Sequence, residues 1–197
     1  MVKAIVFDLW GTLAEDKQPY AVLLKDVVKN PKALLKKFWL YGRSTWMKDG
    51  KGDAKPYIRD FCRSTGLEDK KFVAIMQKVW KASIKSGEWN PWVFELLPKL
   101  AKNYKIILAS NTGIDGKRFI KNSPEVAENF SEIFLSFEHK VAKPDKDFFL
   151  LVQKATKCAP NLLKFYDDEL PNCVAARNLG WDAIHFHGPK DLSEVLQ

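Results

Sequence analysis

Val2-Lys3-Ala4-Ile5-Val6-Phe7-Asp8-Leu9-Trp10-Gly11-Thr12-Leu13 is the stretch on which the fold turns. Val2 to Phe7 is a short β-branched and aromatic run, the pattern of a buried strand, and it ends at Asp8 with Gly11 close behind for a tight turn. The pattern recurs: Lys105-Ile106-Ile107-Leu108-Ala109 leads into Ser110-Asn111-Thr112-Gly113, and Leu162-Leu163-Lys164-Phe165-Tyr166 leads into Asp167-Asp168. Ile133 to Ser136 and Asp182 to Phe186 are weaker strand candidates. Between them, Val93, Leu96, Leu97, Leu100 and Tyr104, and again Phe148, Phe149, Val152 and Ala155, recur at helical spacing. Strands alternating with helices predict an α/β fold with a parallel sheet and right-handed crossovers.

Residues 14–90 break the alternation. Ala21 to Val28, Ala33 to Trp46, Tyr57 to Cys62 and Phe72 to Ile84 carry apolar residues at helical spacing, and no convincing strand lies among them. Asn30-Pro31, Asp49-Gly50-Lys51-Gly52 and Ser64-Thr65-Gly66 separate them, and Gly87 and Pro91 mark the return to the sheet. The expected organisation is a core of residues 1–13 and 91–197 with an all-helical insertion at 14–90.

The composition, 46% hydrophobic and 28% charged over 197 residues, is that of a globular chain and disfavours disordered and collagen-like classes. The net charge of +8 is local: residues 14–90 hold 17 Lys and Arg against 9 Asp and Glu, and the rest of the chain balances. Trp39, Trp46, Trp80 and Trp89 are interleaved with that basic block, but at helical spacing they read as core, and no nucleic-acid motif accompanies them. Cys62, Cys158 and Cys173 are odd in number and far apart, so neither a disulfide framework nor a zinc site is expected; His139, His185 and His187 show no ligand spacing. With no secretory or membrane-spanning run, the expectation is a cytoplasmic protein without a membrane or nucleic-acid partner.

In an open parallel sheet, ligands collect at the carboxyl ends of the strands. Asp8, Ser110 and the pair Asp167-Asp168 fall there. In Ala142-Lys143-Pro144-Asp145, Pro144 suits the first turn of a helix and would set Lys143 at its start. Carboxylates suit Mg²⁺, and a hydroxyl with an ammonium can hold phosphate oxygens.

At these residues the sequence resembles the haloacid dehalogenase-like (HAD) hydrolase superfamily. Phe7 to Leu13 looks like its first motif, Ser110-Asn111 its second, Lys143-Pro144 its third, and Tyr166-Asp167-Asp168 through Asn172 its fourth, with the helical insertion in the place of the family's cap. The resemblance implies a Rossmann-like core with a five-stranded sheet and a covalent mechanism with Asp8 as nucleophile. It implies Mg²⁺ on Asp8, the Trp10 carbonyl and Asp168, with Asp167 sharing that duty, and a small anionic, phosphorylated substrate held by Ser110, Asn111 and Lys143. Thr12 would order the loop, and Asn172 stands where a second acid is usual.

One departure matters. Two residues after the nucleophile the family's phosphatases carry a second aspartate that acts as acid and base, and here it is Trp10. Indole cannot titrate in that role, and such a group contributes about 10² to 10⁴ in rate. The expectation is a weak phosphohydrolase. The alternatives are a 2-haloacid dehalogenase, whose family members carry an aromatic residue at this place, or an inactive phospho-ligand binding protein. Trp10 would be a plug in one case and an apolar wall for the leaving group in another.

Overall fold

The computed structural model describes residues 2–17, 19–67, 69–83 and 85–196. Five parallel strands form the sheet: β1 (Ala4–Phe7), β4 (Lys105–Ser110), β5 (Glu132–Leu135), β6 (Leu163–Asp167) and β7 (Asp182–His185), in the spatial order β5-β4-β1-β6-β7. Period-2 alternation assigns each side of β1 to a different layer. Ile5 and Phe7 join Leu97, Leu100, Ile106 and Leu108 on one face, where helix α4 (Pro91–Ala101) packs. Ala4 and Val6 join Phe148, Phe149, Val152, Phe165 and Trp181 on the other, under α8 (Lys146–Thr156) and α9 (Leu170–Arg177). All four residues of β1 are wholly buried, which is why the run has no polar member.

Inside the sequence block 14–90 lie α1 (Pro31–Ser44), α2 (Ile58–Ser64) and α3 (Lys70–Ser83). They bury a cluster of their own, built around Tyr20, Leu35, Phe38, Trp46, Phe61, Phe72, Met76 and Val79. Asn30 caps α1, its Oδ1 accepting the Ala33 N–H at 3.0 Å, and Pro31 fills the first helical position. Ile84, the end of the last expected helical segment, lies outside the described residues.

Three expectations need correction. The block does contain strands: β2 (Ala14–Asp16) and β3 (Gly87–Trp89) pair antiparallel, Ala14 opposite Trp89, and tie its two ends together. Three-residue strands are too short for periodicity to reveal. The first helical segment is a 3₁₀ turn, Pro19–Leu24, followed by i→i+3 bonds such as Lys25 N–H to Val22 O, instead of an α-helix over 21–28. Pro144 does not open a helix: residues 142–145 form a turn closed by Asp145 N–H to Ala142 O at 2.8 Å, and α8 begins at Lys146 with Asp145 at its cap. Among the described residues, no helix is long and apolar enough to cross a membrane.

Candidate active site

The strand order reverses at β1: the chain runs from β1 out to β4 and β5, then returns to β6 and β7 on the other side. Such a switch point opens a crevice at the strand ends. Phe7 pairs with both Leu108 and Tyr166, and the Asp8 N–H donates to Tyr166 O at 2.9 Å. The residues that follow, Asp8 and Asp167, therefore emerge side by side.

Lys143 joins them. Its Nζ lies 2.6 Å from Asp8 Oδ1 and 2.7 Å from Asp167 Oδ2, with the ammonium-bearing side chain 1% exposed. The Asn111 side chain holds the lysine's backbone from both sides, Nδ2 donating to Lys143 O at 2.7 Å and Oδ1 accepting Lys143 N–H at 2.8 Å. That clamp replaces the helix start that the Lys-Pro pair suggests. Asn172 Nδ2 donates to both oxygens of Asp167 at 3.0 Å, so the amide at the place of a usual acid steadies a carboxylate.

One carboxylate oxygen each from Asp8, Asp167 and Asp168 lies within 4.8 Å of the others. Three acids against one buried ammonium leave an excess of negative charge wherever all are ionised. Burial, with the neighbouring acids adding to it, pushes Asp8 up to about 8 despite Lys143, and desolvation with the charge of Asp167 raises Asp168 to about 6. Lys143 is moved the other way: desolvation opposes its charge, but Asp167 and Asp8 outweigh it and hold the ammonium well above its ordinary range. Asp168 Oδ1 is buried without a hydrogen-bond partner. An all-oxygen cluster with surplus charge and an unsatisfied buried acceptor fits a small hard cation such as Mg²⁺.

Gly11 makes this approach possible. Its φ is +84°, and a Cβ there would lie 2.3 Å from Asp168 Oδ2. The loop is closed by Gly11 N–H to Ala14 O and Ala14 N–H to Leu9 O, each 2.8 Å. Thr12 orders it through its carbonyl, which accepts Asn90 Nδ2 at 2.8 Å, while its own buried hydroxyl has no partner. Gly11→Ala is expected to cost about 1–3 kcal/mol in urea unfolding and to weaken Mg²⁺ binding measured by calorimetry; an unchanged midpoint and affinity would contradict the close approach.

Above the cluster lies a cavity of about 640 Å³. Asp8, Trp10, Asn111, Lys143, Asp168 and Asn172 reach it from the sheet, and Lys32, Lys36, Trp39, Leu40, Arg43 and Trp80 from the helical block. Asp167 and Ser110 are wholly buried and do not line it. Among the described residues the Ser110 hydroxyl has no partner, so it stands outside the hydrogen-bonded group of Asp8, Lys143 and Asp167. Trp10 is a wall. Its Nε1 donates to Thr112 Oγ1 at 3.3 Å, its ring meets Phe119 at 5.0 Å, and Gly87 leaves it room, since a Cβ there would touch the indole at 2.8 Å.

Among the described basic side chains of the helical block, only Lys32, Lys36 and Arg43 line the cavity; Lys51 and Arg59 do not, and Lys48 pairs with Asp145. Trp46 is core, Trp39 and Trp80 pack against that core, and all three line the cavity. Three contacts across the cleft carry no sequence signal: Arg43 with Glu169, Lys48 with Asp145, and Gly52 O accepting Ile114 N–H at 3.0 Å. The last places a loop on the start of α5 (Ile114–Lys121), where a Cβ on Gly113 would lie 2.2 Å from Gly52 O. His185 accepts no metal-like set; its Nε2 meets Asp168 O at 2.9 Å. Burial raises the thiols of Cys62 and Cys173 to about 11, which suits packing residues.

No protein-family model matches the chain. Solved structures do. A HAD family enzyme of Bacteroides thetaiotaomicron, determined in complex with magnesium and inorganic phosphate, aligns over 100% of both chains at 25% identity and a TM-score of 0.73. A predicted HAD-like hydrolase of Porphyromonas gingivalis aligns over 100% of this chain and 98% of its own at 20% identity and 0.70. An L-2-haloacid dehalogenase of Xanthobacter autotrophicus, with chloropropionic acid covalently bound, aligns over 98% of this chain and 82% of its own at 20% identity and 0.67. The resemblance carried by the four motifs is thus matched by the architecture: the fold is the one shared by these haloacid dehalogenase-like enzymes.

Proposed function

We propose that the protein is a Mg²⁺-dependent phosphohydrolase that uses Asp8 as nucleophile on a small phosphorylated molecule, with turnover limited by Trp10. The observation that carries this reading is the Asp8 carboxylate at the switch point, 2.6 Å from a buried Lys143 ammonium and within the same cluster as the unpartnered oxygen of Asp168. The magnesium and phosphate complex of the Bacteroides enzyme agrees with it.

Asp8, Asp168 and the Trp10 carbonyl would hold the cation, with Asp167 beside them. When bound, Mg²⁺ would supply charge neutralisation at the phosphoryl oxygens. Asp8 attacks phosphorus, the bond to the ester oxygen breaks, and an aspartyl phosphate forms on Asp8. Lys143 offsets the repulsion between that carboxylate and an anionic substrate. Its orientation is fixed before substrate arrives, because Asn111 holds the backbone and Asp167 the ammonium. The Asn111 backbone N–H is the further phosphate donor proposed; Ser110, expected beside it, is wholly buried off the cavity, and the Thr112 N–H is already donated to Ser136 Oγ at 3.1 Å. Water then hydrolyses the aspartyl phosphate and regenerates Asp8.

Residues 14–90 serve as a cap over a core of residues 1–13 and 91–197. Their separate hydrophobic cluster, the β2-β3 ribbon at their base and the cross-cleft pairs Arg43–Glu169 and Lys48–Asp145 support that role.

Trp10 donates no proton to the leaving group and accepts none from water. Leaving groups that depart readily as anions are therefore turned over, and alkyl phosphates hardly at all. Trp10→Asp should raise kcat/KM for an alkyl phosphate by about 10², read by phosphate release. A folded variant with no gain would reject the missing acid as the cause. The aromatic at position 10 also suits a dehalogenase, and halide release from 2-haloacids without metal would favour that reading over this one.

A further inference from the structure

The cavity face of α1 carries Lys32, Lys36, Trp39, Leu40 and Arg43, a single helical stripe, while Leu34, Leu35 and Phe38 face the cap's own core. Arg43 is paired with Glu169. Among the described residues, Lys32 and Lys36 have no ion-pair partner, although four acids besides the metal cluster line the same cavity. Three of those acids have other partners, and the fourth, Glu15, is exposed. Asp16 accepts Tyr20 Oη–H and Ser86 Oγ–H, Asp115 faces Arg118 at 3.5 Å, Glu169 holds Arg43, and Glu15 lies opposite Glu88 in the ribbon with its side chain exposed. Two cations four residues apart on one face thus line the cavity with no ion pair among the described residues. The same cavity has aromatic walls: Trp39, Trp46 and Trp80 from the cap, Trp10 from the core.

We infer that the substrate is the phosphate ester of a phenol-type hydroxyl that carries a second anionic group, its ring lying against the tryptophans and its second anion on Lys32 and Lys36. The inference deepens the phosphohydrolase reading and rests on it. Two independent features converge on this class. Trp10 leaves no acid at the leaving oxygen, so the electron pair of the broken P–O bond must remain on a stabilised oxyanion, which a phenolate is and an alkoxide is not; the phenolate takes its proton from solvent after release. The aromatic walls and a volume within the usual range for ligand sites suit a ring of that size. The lysines then recognise the far end, and the cavity holds phosphoryl group, ring and second anion in one line from Asp8 to α1.

The test compares phenyl phosphate with its para-carboxymethyl and para-aminomethyl derivatives, in which a methylene insulates the ester oxygen from the added charge. With the full chain and Mg²⁺, the carboxymethyl ester should show a KM about tenfold below that of phenyl phosphate and the aminomethyl ester a KM above it. The ratio should shrink at about 1 M salt and fall to about one in the Lys32→Ala, Lys36→Ala double variant. Equal KM values for the three esters in an active protein would overturn the inference. The phosphonate analogues, followed by tryptophan fluorescence on the Asp8→Asn variant, separate this claim from the reaction itself. Preferential binding of the carboxymethyl phosphonate with no ester hydrolysed by the native protein would keep the second-anion site and reject the hydrolase reading; equal binding of all three would reject the site.

Discussion

Lys143→Met is expected to remove about 3–5 kcal/mol of stability, the usual consequence of deleting one member of a buried ion-paired group. The side chain is 1% exposed and its ammonium stands between Asp8 and Asp167, at 2.6 and 2.7 Å. Methionine fills much of the same volume, so the loss reports charge instead of a cavity. Without the ammonium, two buried carboxylates face each other and Asp168, and they can relieve the repulsion only by taking up protons. The deficit should therefore be larger at pH 8 than at pH 5, because protonation is cheap at the lower pH, and added Mg²⁺ should restore part of it. Urea unfolding of both proteins at the two pH values checks this. A loss below about 1 kcal/mol, the range of an exposed pair, would mean that the lysine is not the buried counter-charge of the site.

Asp8→Asn should abolish turnover of aryl phosphates, by at least about 10³-fold in kcat, while leaving the fold intact. Asparagine keeps the shape but not the nucleophilic oxygen. It also removes one of the acids whose mutual repulsion and burial raise Asp8 to about 8, so the variant should be no less stable than the native protein at neutral pH. For a group whose folded pKa is raised, stability is present below the unfolded value and declines as pH rises toward the folded one. The advantage of the asparagine should grow between about pH 4 and about pH 8 in the metal-free protein. Phosphate release and unfolding curves on the same preparation separate the chemical effect from the structural one.

Much of this was legible in the sequence because β1, β4 and β6 are buried on both faces, and burial on both faces leaves an unbroken apolar run that ends where the site begins. The acids could be placed because strand ends in a parallel sheet converge; Lys143 lies in a turn beyond β5 and joins them without the helix start its proline suggests. What could not be read was set by partners far along the chain. The resemblance assigns Asn111 to phosphate, and only the fold shows its side-chain amide holding the backbone of Lys143, 32 residues away. Asn172 reads as an acid that lost its charge, whereas in space it donates to Asp167. The ribbon of β2 and β3 is three residues deep, below the length at which alternation is visible. The basic surplus is local to residues 14–90, yet among the described residues only Lys32, Lys36 and Arg43 of it line the cavity, because periodicity gives a helix its buried face but not which polar side looks across a cleft.

The central claim, that Asp8 is the covalent nucleophile of a phosphoryl transfer, predicts an intermediate that can be seen. Because Trp10 offers no base to activate water, hydrolysis of the aspartyl phosphate should be slower than its formation from an activated aryl phosphate, and the intermediate should accumulate. The direct measurement is rapid mixing of the protein with Mg²⁺ and such an ester, acid quenching and peptide mass analysis. The account predicts a phosphoryl group on the peptide that carries Asp8, absent from the Asp8→Asn variant. Turnover of the ester by the native protein with no such modification, or with the phosphoryl group on another residue, would contradict it.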